Sequence, residues 1–293
     1  VEATTTLLDG GATVPFISRY RKELTGTMDE VEVAAVRDRL AQLRDLDKRR
    51  EAILKSIEEQ EKLTPELKKK IEAAETMAAL EDLYLPYKPK RKTKASVAKE
   101  KGLEPLAKVL WQQGNVSPEQ EAEQYSSEEK GVEDVNAALQ GARDIMAEWI
   151  SEDAEARQKI RDLFKAEGMI SSRVLKGKEV EGQKYKDYFE WEESLKTIPS
   201  HRLLAIRRGE REGILIMDTF VPEESAIDRL SRQFVQGSNA AAEHVATALT
   251  DSYKRLIKPS IETEARMESK KAADTEAISV LSLVHIRHCL RPY

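Results

Sequence analysis

Thr27-Met28-Asp29-Glu30 opens a run, residues 31 to 63, that holds neither Gly nor Pro. Thr27 is placed to accept from the amides freed at a helix start, and Glu30, three residues on, to answer as in a capping box. Val33, Val36, Leu40, Leu43, Asp47 and Leu54 then largely keep a three-to-four spacing, which predicts one long helix with a single buried face. Thr64-Pro65 ends it, with Thr64 as the next cap and Pro65 in the first turn, and residues 66 to 82 read as the following helix. On the other side, Gly10-Gly11 and Pro15 divide the start of the chain into a short helix, a turn and a second short helix that runs into Ser18-Arg19-Tyr20-Arg21-Lys22-Glu23.

Farther out, the two prolines of Leu83-Tyr84-Leu85-Pro86-Tyr87-Lys88-Pro89 forbid regular helix and make a structured connector. Helical patterns resume near Ser96 to Leu110, Val132 to Ile150 and Asp153 to Glu167, with an acidic, polar stretch between Gly114 and Gly131. Past Gly168 the pattern dissolves into a loop-rich segment pinned by Tyr185, Tyr188, Phe189 and Trp191. Ser200 is expected to cap a helix carrying Leu203, Leu204 and Ile206, which Gly209 would end. Ile214-Leu215-Ile216-Met217 is the one good strand candidate, too short to stand without a partner, and helices close the chain over 223–236 and 238–280. Trp111, Trp149 and Trp191 lie among apolar neighbours and are expected to anchor successive helical layers. No fixed repeat period is present.

Composition agrees with helices. The chain is 34% charged and only 5% aromatic, which argues against sandwiches and barrels and for a mainly α, multi-helical array with at most one short β element. One cysteine, Cys289, allows no internal disulfide or multi-cysteine zinc site. The His285-Ile286-Arg287-His288-Cys289 run leaves a tetrahedral metal set incomplete, and no metal or cofactor is expected. With no apolar run near the roughly 20 residues of a membrane span, a cytoplasmic protein is expected. No nucleotide-binding, nucleophile-elbow or zinc-protease pattern occurs, so the chain is not expected to be an enzyme.

A formal net charge of -5 excludes a uniformly basic binder, so local patches must carry any affinity for phosphate. The densest is Lys88, Lys90, Arg91, Lys92 and Lys94, with no acid among residues 88–94, beside Tyr84 and Tyr87. It offers phosphate contacts and rings for a base or sugar; the alternative is a solvated loop anchored by its prolines and tyrosines. A second group is Arg19, Arg21 and Lys22, which face phosphate or pair with Glu23 and nearby acids. The third, Arg202, Arg207, Arg208 and Arg211, either contacts phosphate or complements a helix C-terminus; Arg202 and Arg208 are its candidates.

Three segments together resemble the Tex family of bacterial transcription accessory proteins. They are Thr13-Val14-Pro15-Phe16-Ile17-Ser18-Arg19-Tyr20-Arg21-Lys22-Glu23, then Asp82-Leu83-Tyr84-Leu85-Pro86-Tyr87-Lys88-Pro89-Lys90-Arg91 with Glu100-Lys101-Gly102-Leu103-Glu104-Pro105-Leu106, and Pro199-Ser200-His201-Arg202-Leu203-Leu204-Ala205 with Arg208-Gly209-Glu210. Order and spacing agree over about residues 1 to 280. The resemblance implies a helical N-terminal region with a helix-turn-helix-like unit, which the family continues into an RNase H-like domain, helix-hairpin-helix elements and an OB-fold RNA-binding domain, none expected here. On that basis residues 1–63 form the first helices of the helix-turn-helix-like unit, 64–195 a helical arm with the basic loop, and 196–280 a helical region packing back on the first. Residues 281–293 read as an atypical tail, truncated or altered, and a start at Val1 suggests residues missing in front. The implied role is binding RNA or DNA, mainly through the further domains, and scaffolding RNA polymerase or other transcription factors. The rival expectation is a protein-docking scaffold that does not itself bind nucleic acid.

Overall fold

The computed structural model describes residues 1–127 and 131–289, with side chains through residue 278. The His285, His288 and Cys289 side chains of the C-terminal run therefore lie outside the described residues. The chain is mainly α-helical with one small antiparallel sheet, and it divides into two compact units, Val1–Pro89 and Lys90–Tyr293. That boundary falls inside the segment expected as a single helical arm.

In the first unit, α1 (Glu2–Asp9) and α2 (Val14–Tyr20) are joined by the Gly10–Gly11 turn, where Gly11 takes a left-handed φ of 82°. After α3 (Lys22–Thr25), the long α4 (Glu30–Glu58) is capped by Asp29, two residues later than the expected cap Thr27. Asp29 accepts from the Glu32 amide at 2.8 Å and the Glu32 carboxylate accepts from the Asp29 amide at 3.0 Å. Thr27 sits at φ 65°, which is incompatible with the extended backbone of an N-cap. The single buried face predicted for α4 is also corrected. Its first half packs Val33 with Val14 and Ile17, whereas its second half packs Leu46, Ile53 and Ile57 with Ile71, Leu80 and Tyr84. Leu43, between the two clusters, is exposed.

Thr64 caps α5 (Pro65–Ala73) as expected, accepting from the Leu67 amide at 3.2 Å. The helix predicted over 66–82 is broken into α5 and α6 (Met77–Tyr84), with Thr76 capping the second. Arg50 of α4 stabilises the break by donating to the carbonyl of Ile71 at 3.2 Å, which also accepts from the Ala74 amide, and to that of Ala74 at 2.9 Å, past the end of α5.

In the second unit, α7 (Lys94–Glu100) and α8 (Glu104–Trp111) replace the one helix expected over 96–110, because Gly102 turns the chain at φ 82°. The short α9 (Pro118–Glu123) lies in the acidic, polar stretch between Gly114 and Gly131. α10 (Val135–Glu152) is the hub, packing against α7, α8, α9 and α14 (Ala240–Ser252). Its Ile145, Met146 and Ile150 are fully buried, each contributing roughly 1.5–3 kcal/mol by leaving water. Trp111 and Trp149 meet edge to face at 5.6 Å beside this core.

Asp153 caps α11 (Ala154–Glu167), after which β1 (Met169–Val174) is flanked by β2 (Glu190–Ser194) and β3 (Leu215–Phe220), both antiparallel to it. β3 takes in Leu215–Met217 of the expected strand, but the other two strands of the sheet were hidden in the segment read as loop. The inward positions of β1 are Ile170 and Ser172, and the Ser172 hydroxyl donates to the Tyr188 carbonyl at 2.6 Å. A polar residue in the buried register removes the apolar alternation that marks a strand. Trp191 thus belongs to the sheet rather than to a helical layer. α12 (Ser200–Arg211) runs past Gly209 to a turn at Gly213, φ 70°. Gly209 is interior because a Cβ there would lie 2.6 Å from Leu215 Cδ1, so its smallness admits β3 rather than ending the helix.

α13 (Glu223–Phe234) and α14 lead into a π-helical turn, Tyr253–Ile257, and then α15 (Lys258–Cys289). Pro259 follows that turn; a proline ring crowds the carbonyl four residues back, and the wider turn relieves it. Among the described residues no helix is long and apolar enough to cross a membrane.

His244 on α14 faces α10, where Arg143 Nη1 lies 3.0 Å from its Nδ1. Burial first, and then the Arg143 charge, hold the imidazole below its ordinary range against the opposing pull of Glu119 and Glu243. The folded state therefore takes up the His244 proton less readily than the unfolded chain, whose value is about 6.5. Stability from this site is present above that value and is lost as pH falls through the folded one. We expect the urea midpoint to drop between pH 7 and pH 5.5, and His244→Gln to flatten that part of the profile; an unchanged slope in the variant would assign the effect elsewhere.

Candidate nucleic-acid interface

The basic run begins where α6 tightens into a 3-10 turn, Leu85–Tyr87, and ends at the first residue of α7. Tyr84 is buried against α4, where its hydroxyl lies 3.0 Å from Ser56 Oγ and Arg49 sits 5.4 Å from its ring centre. Tyr87 packs on the same cluster, and its carbonyl accepts from Gln60 Nε2 at 3.1 Å. The tyrosines beside the loop are thus anchors, with Tyr84 offering no free face to a base.

Thr93 closes the loop by a reciprocal cap: the Ser96 amide donates to Thr93 Oγ1 at 3.0 Å and the Thr93 amide to Ser96 Oγ at 2.8 Å. Below the loop runs a carboxylate row on α10, Asp144, Glu148 and Glu152, spaced four apart on one helix face. Lys90 pairs with Glu152 and, at 3.5 Å, with Glu148. Glu148 also accepts from Lys99 Nζ at 2.7 Å and Thr93 Oγ1 at 3.2 Å. Burial pushes the Glu148 carboxyl up, but Lys99, Lys90 and Thr93 together outweigh it and hold it below the usual carboxylate range. At Glu152 burial prevails over Lys90 and raises the carboxyl. Asp144 is raised by burial too, with Arg255 and Lys94 opposing.

The five loop cations therefore divide. Lys90 is held by the α10 carboxylates, and Lys94 shares a cleft of about 320 Å³ with Asp144 and Lys101. Lys92 reaches Glu100 at 3.5 Å, but with the two side chains 70% and 64% exposed that pair is worth little. Lys88 and Arg91 are exposed and make no ion pair among the described residues.

In the second group, Arg21 Nη1 donates to the Tyr20 carbonyl at 3.2 Å and its guanidinium lies 5.3 Å from the Phe16 ring centre. Arg19 and Lys22 are exposed, and among the described residues neither pairs with Glu23 or another acid. In the third, Arg202 joins α12 to β2 through Glu193 at 2.7 Å and stacks 5.5 Å from the Trp191 centroid, a structural arrangement. Arg207 donates to the Arg266 carbonyl at 3.2 Å, while Arg208 stays exposed. No group of His, Cys, Asp or Glu among the described residues could hold a metal ion.

Sequence reading missed Glu148, Glu152 and Lys99. Their signal was the four-residue spacing of acids on α10, but the cations they meet lie some 50 to 60 positions away in sequence.

These features define a two-unit, mainly helical assembly whose phosphate-sized cationic features are local and lie on loops and helix faces. The Tex-like protein N-terminal domain model matches residues 1–58, and the Tex central region-like model matches residues 113–281. The chain belongs to the Tex family. It is 44% identical over 290 residues to the transcriptional accessory protein Tex of Neisseria gonorrhoeae and 43% identical over 292 residues to protein YhgF of Escherichia coli. Each match covers 96% of this chain and 38% of the relative, so the chain spans under two-fifths of their length. The human S1 RNA-binding domain-containing protein 1 is 28% identical over 290 residues, covering 93% of this chain and 28% of that protein.

Proposed function

We propose that this chain is the helical N-terminal region of a transcription-associated factor, one that holds nucleic-acid phosphates on the loop at Lys88, Arg91 and Lys92 and has no catalytic role. What carries the reading is the division of the loop: Lys90 and Thr93 are tied to Glu148 and Glu152, which fixes the backbone at Arg91 and Lys92, while Arg91 and, at the end of the first unit, Lys88 stand exposed and unpaired among the described residues. A fixed loop presenting unpaired cations suits phosphate contact without base readout. Relatives whose names refer to transcription and to RNA binding support the same direction.

The test is a fluorescence titration with duplex and single-stranded nucleic acid at two salt concentrations. In K88Q/R91Q/K92Q, affinity at low salt should fall and the log K against log salt slope should shrink by about 0.9 for each duplex phosphate that is no longer neutralised. Binding unchanged in that variant, or absent in the parent at low salt, removes the proposal for this chain. A second reading is a scaffold that docks RNA polymerase or another factor. It is favoured by the net charge of -5 and by the neutralisation of Lys90, and it predicts the second of those outcomes.

A further inference from the structure

On α2, Val14, Ile17 and Ser18 face inward, so the opposite side of the helix presents Phe16, Arg19 and Tyr20 at i, i+3 and i+4. Phe16 is 40% exposed, Tyr20 64% and, one turn on, Leu24 54%. The two rings lie 5.6 Å apart at 43°, with the Arg21 guanidinium 5.3 Å from the Phe16 centroid. Arg19, Arg21 and Lys22 outnumber the one acid of residues 13–28, Glu23, in a chain whose total charge is negative. Large rings held in water are unfavourable unless a partner covers them, and unpaired cations beside them favour an anionic partner.

Three kinds of anionic partner would meet these cations, and the rings choose among them. An acidic peptide would satisfy the charges but has no use for two exposed aromatic rings. A nucleic-acid duplex satisfies the charges but keeps its bases stacked inside. A single strand offers both a free π-face and a phosphate on each side of it. We infer that the α2–α3 surface is a stacking platform for single-stranded nucleic acid, taking an unpaired base on Tyr20, with Phe16 bracing that ring, and flanking phosphates on Arg19 and Lys22. Leu24 extends the apolar floor. The inference rests on and deepens the nucleic-acid reading by specifying strand form, and it uses none of the loop residues 88–94.

The experiment uses the full chain and a short single-stranded oligonucleotide carrying 2-aminopurine, whose emission changes on stacking. In F16A/Y20A, single-strand affinity should fall about 5- to 150-fold, the equivalent of one base–aromatic stack, and the emission change should vanish. Duplex affinity should stay at the parent level. Tyr20→Phe keeps the ring face and should keep single-strand affinity. R19Q/K22Q should retain the emission change at saturation while lowering the salt slope by about 0.7 for each phosphate left without its cation. The emission change should persist in K88Q/R91Q/K92Q, so the failure of one site is not mistaken for that of the other. Equal weakening of single strand and duplex in F16A/Y20A, parent-like single-strand binding, or displacement of the oligonucleotide by polyglutamate through the same residues would overturn the inference, the last in favour of an acidic protein partner. Unchanged urea midpoints check that the variants fold, as their exposure predicts.

Discussion

Gly141→Val should destabilise the second unit by about 3 kcal/mol, read as a fall in the urea midpoint at unchanged m-value. Gly141 lies mid-helix in α10, a position where Gly is about 1 kcal/mol less favourable than Ala. On propensity alone any larger residue but proline would therefore stabilise. The packing reverses the sign. A Cβ at 141 would lie 2.3 Å from Leu103 Cδ1 and 3.3 Å from Ala98 Cβ, and both neighbours are buried in the cluster that joins α7, α8 and α10. Leu103 is almost fully buried and can yield only toward the cleft that it lines with Gly141, so an off-rotamer side chain must be accepted or the helices must separate. Gly141→Ala should cost less than Val and still be destabilising; a gain in stability there would mean that Leu103 repacks freely. Because α7 also carries Lys99, the variant should in addition loosen the Glu148 anchor of the basic loop.

What the sequence made readable, and what it did not, divides along the distance between cause and effect. The α1–α2 turn, the Thr64 cap and the Pro86–Pro89 connector follow from residues within a turn of one another, and composition predicted the mainly α class. The break between α5 and α6 needed Arg50, twenty-one residues before the Ile71 carbonyl it caps. The two faces of α4 needed two separate partners, which no single stripe expresses. β1 was hidden by Ser172 in its buried register, and β2 by its Glu190-Trp191-Glu192-Glu193 composition. The candidate loop was visible as charge, but charge along a sequence does not reveal which cations meet carboxylates across the fold. Only the α10 row separates Lys90, which fixes the loop, from Lys88 and Arg91, which remain available.

Charges far apart in sequence also meet where α11 packs on α15, and there Glu264→Ala should cost about 1.5–3 kcal/mol. Arg157 and Arg161 stand four apart on α11, on one face of the helix. In the fold their side chains are only 7% and 8% exposed, and both reach Glu264 of α15: Arg161 Nε at 2.6 Å and Arg157 Nη2 at 3.3 Å. Arg157 also donates to Ser260 Oγ at 2.8 Å. One carboxylate, itself 33% exposed, thus helps neutralise two guanidiniums that are almost out of water. Removing it takes a counter-charge from both, and beside them lies a cleft of about 280 Å³ floored by Phe164, Leu195 and Ile261 into which water can enter to limit the loss. The Coulombic gain of such a pair is largely offset by desolvation, so its presence is not itself the source of stability. R157M/R161M/E264L should accordingly recover much of what Glu264→Ala loses, because it leaves neither guanidinium without the carboxylate and lets α11 meet α15 through Met and Leu. If the triple variant is no more stable than Glu264→Ala, the ion network is net stabilising, and its geometry rather than the apolar packing of Ile160, Phe164 and Ile261 holds the two helices together.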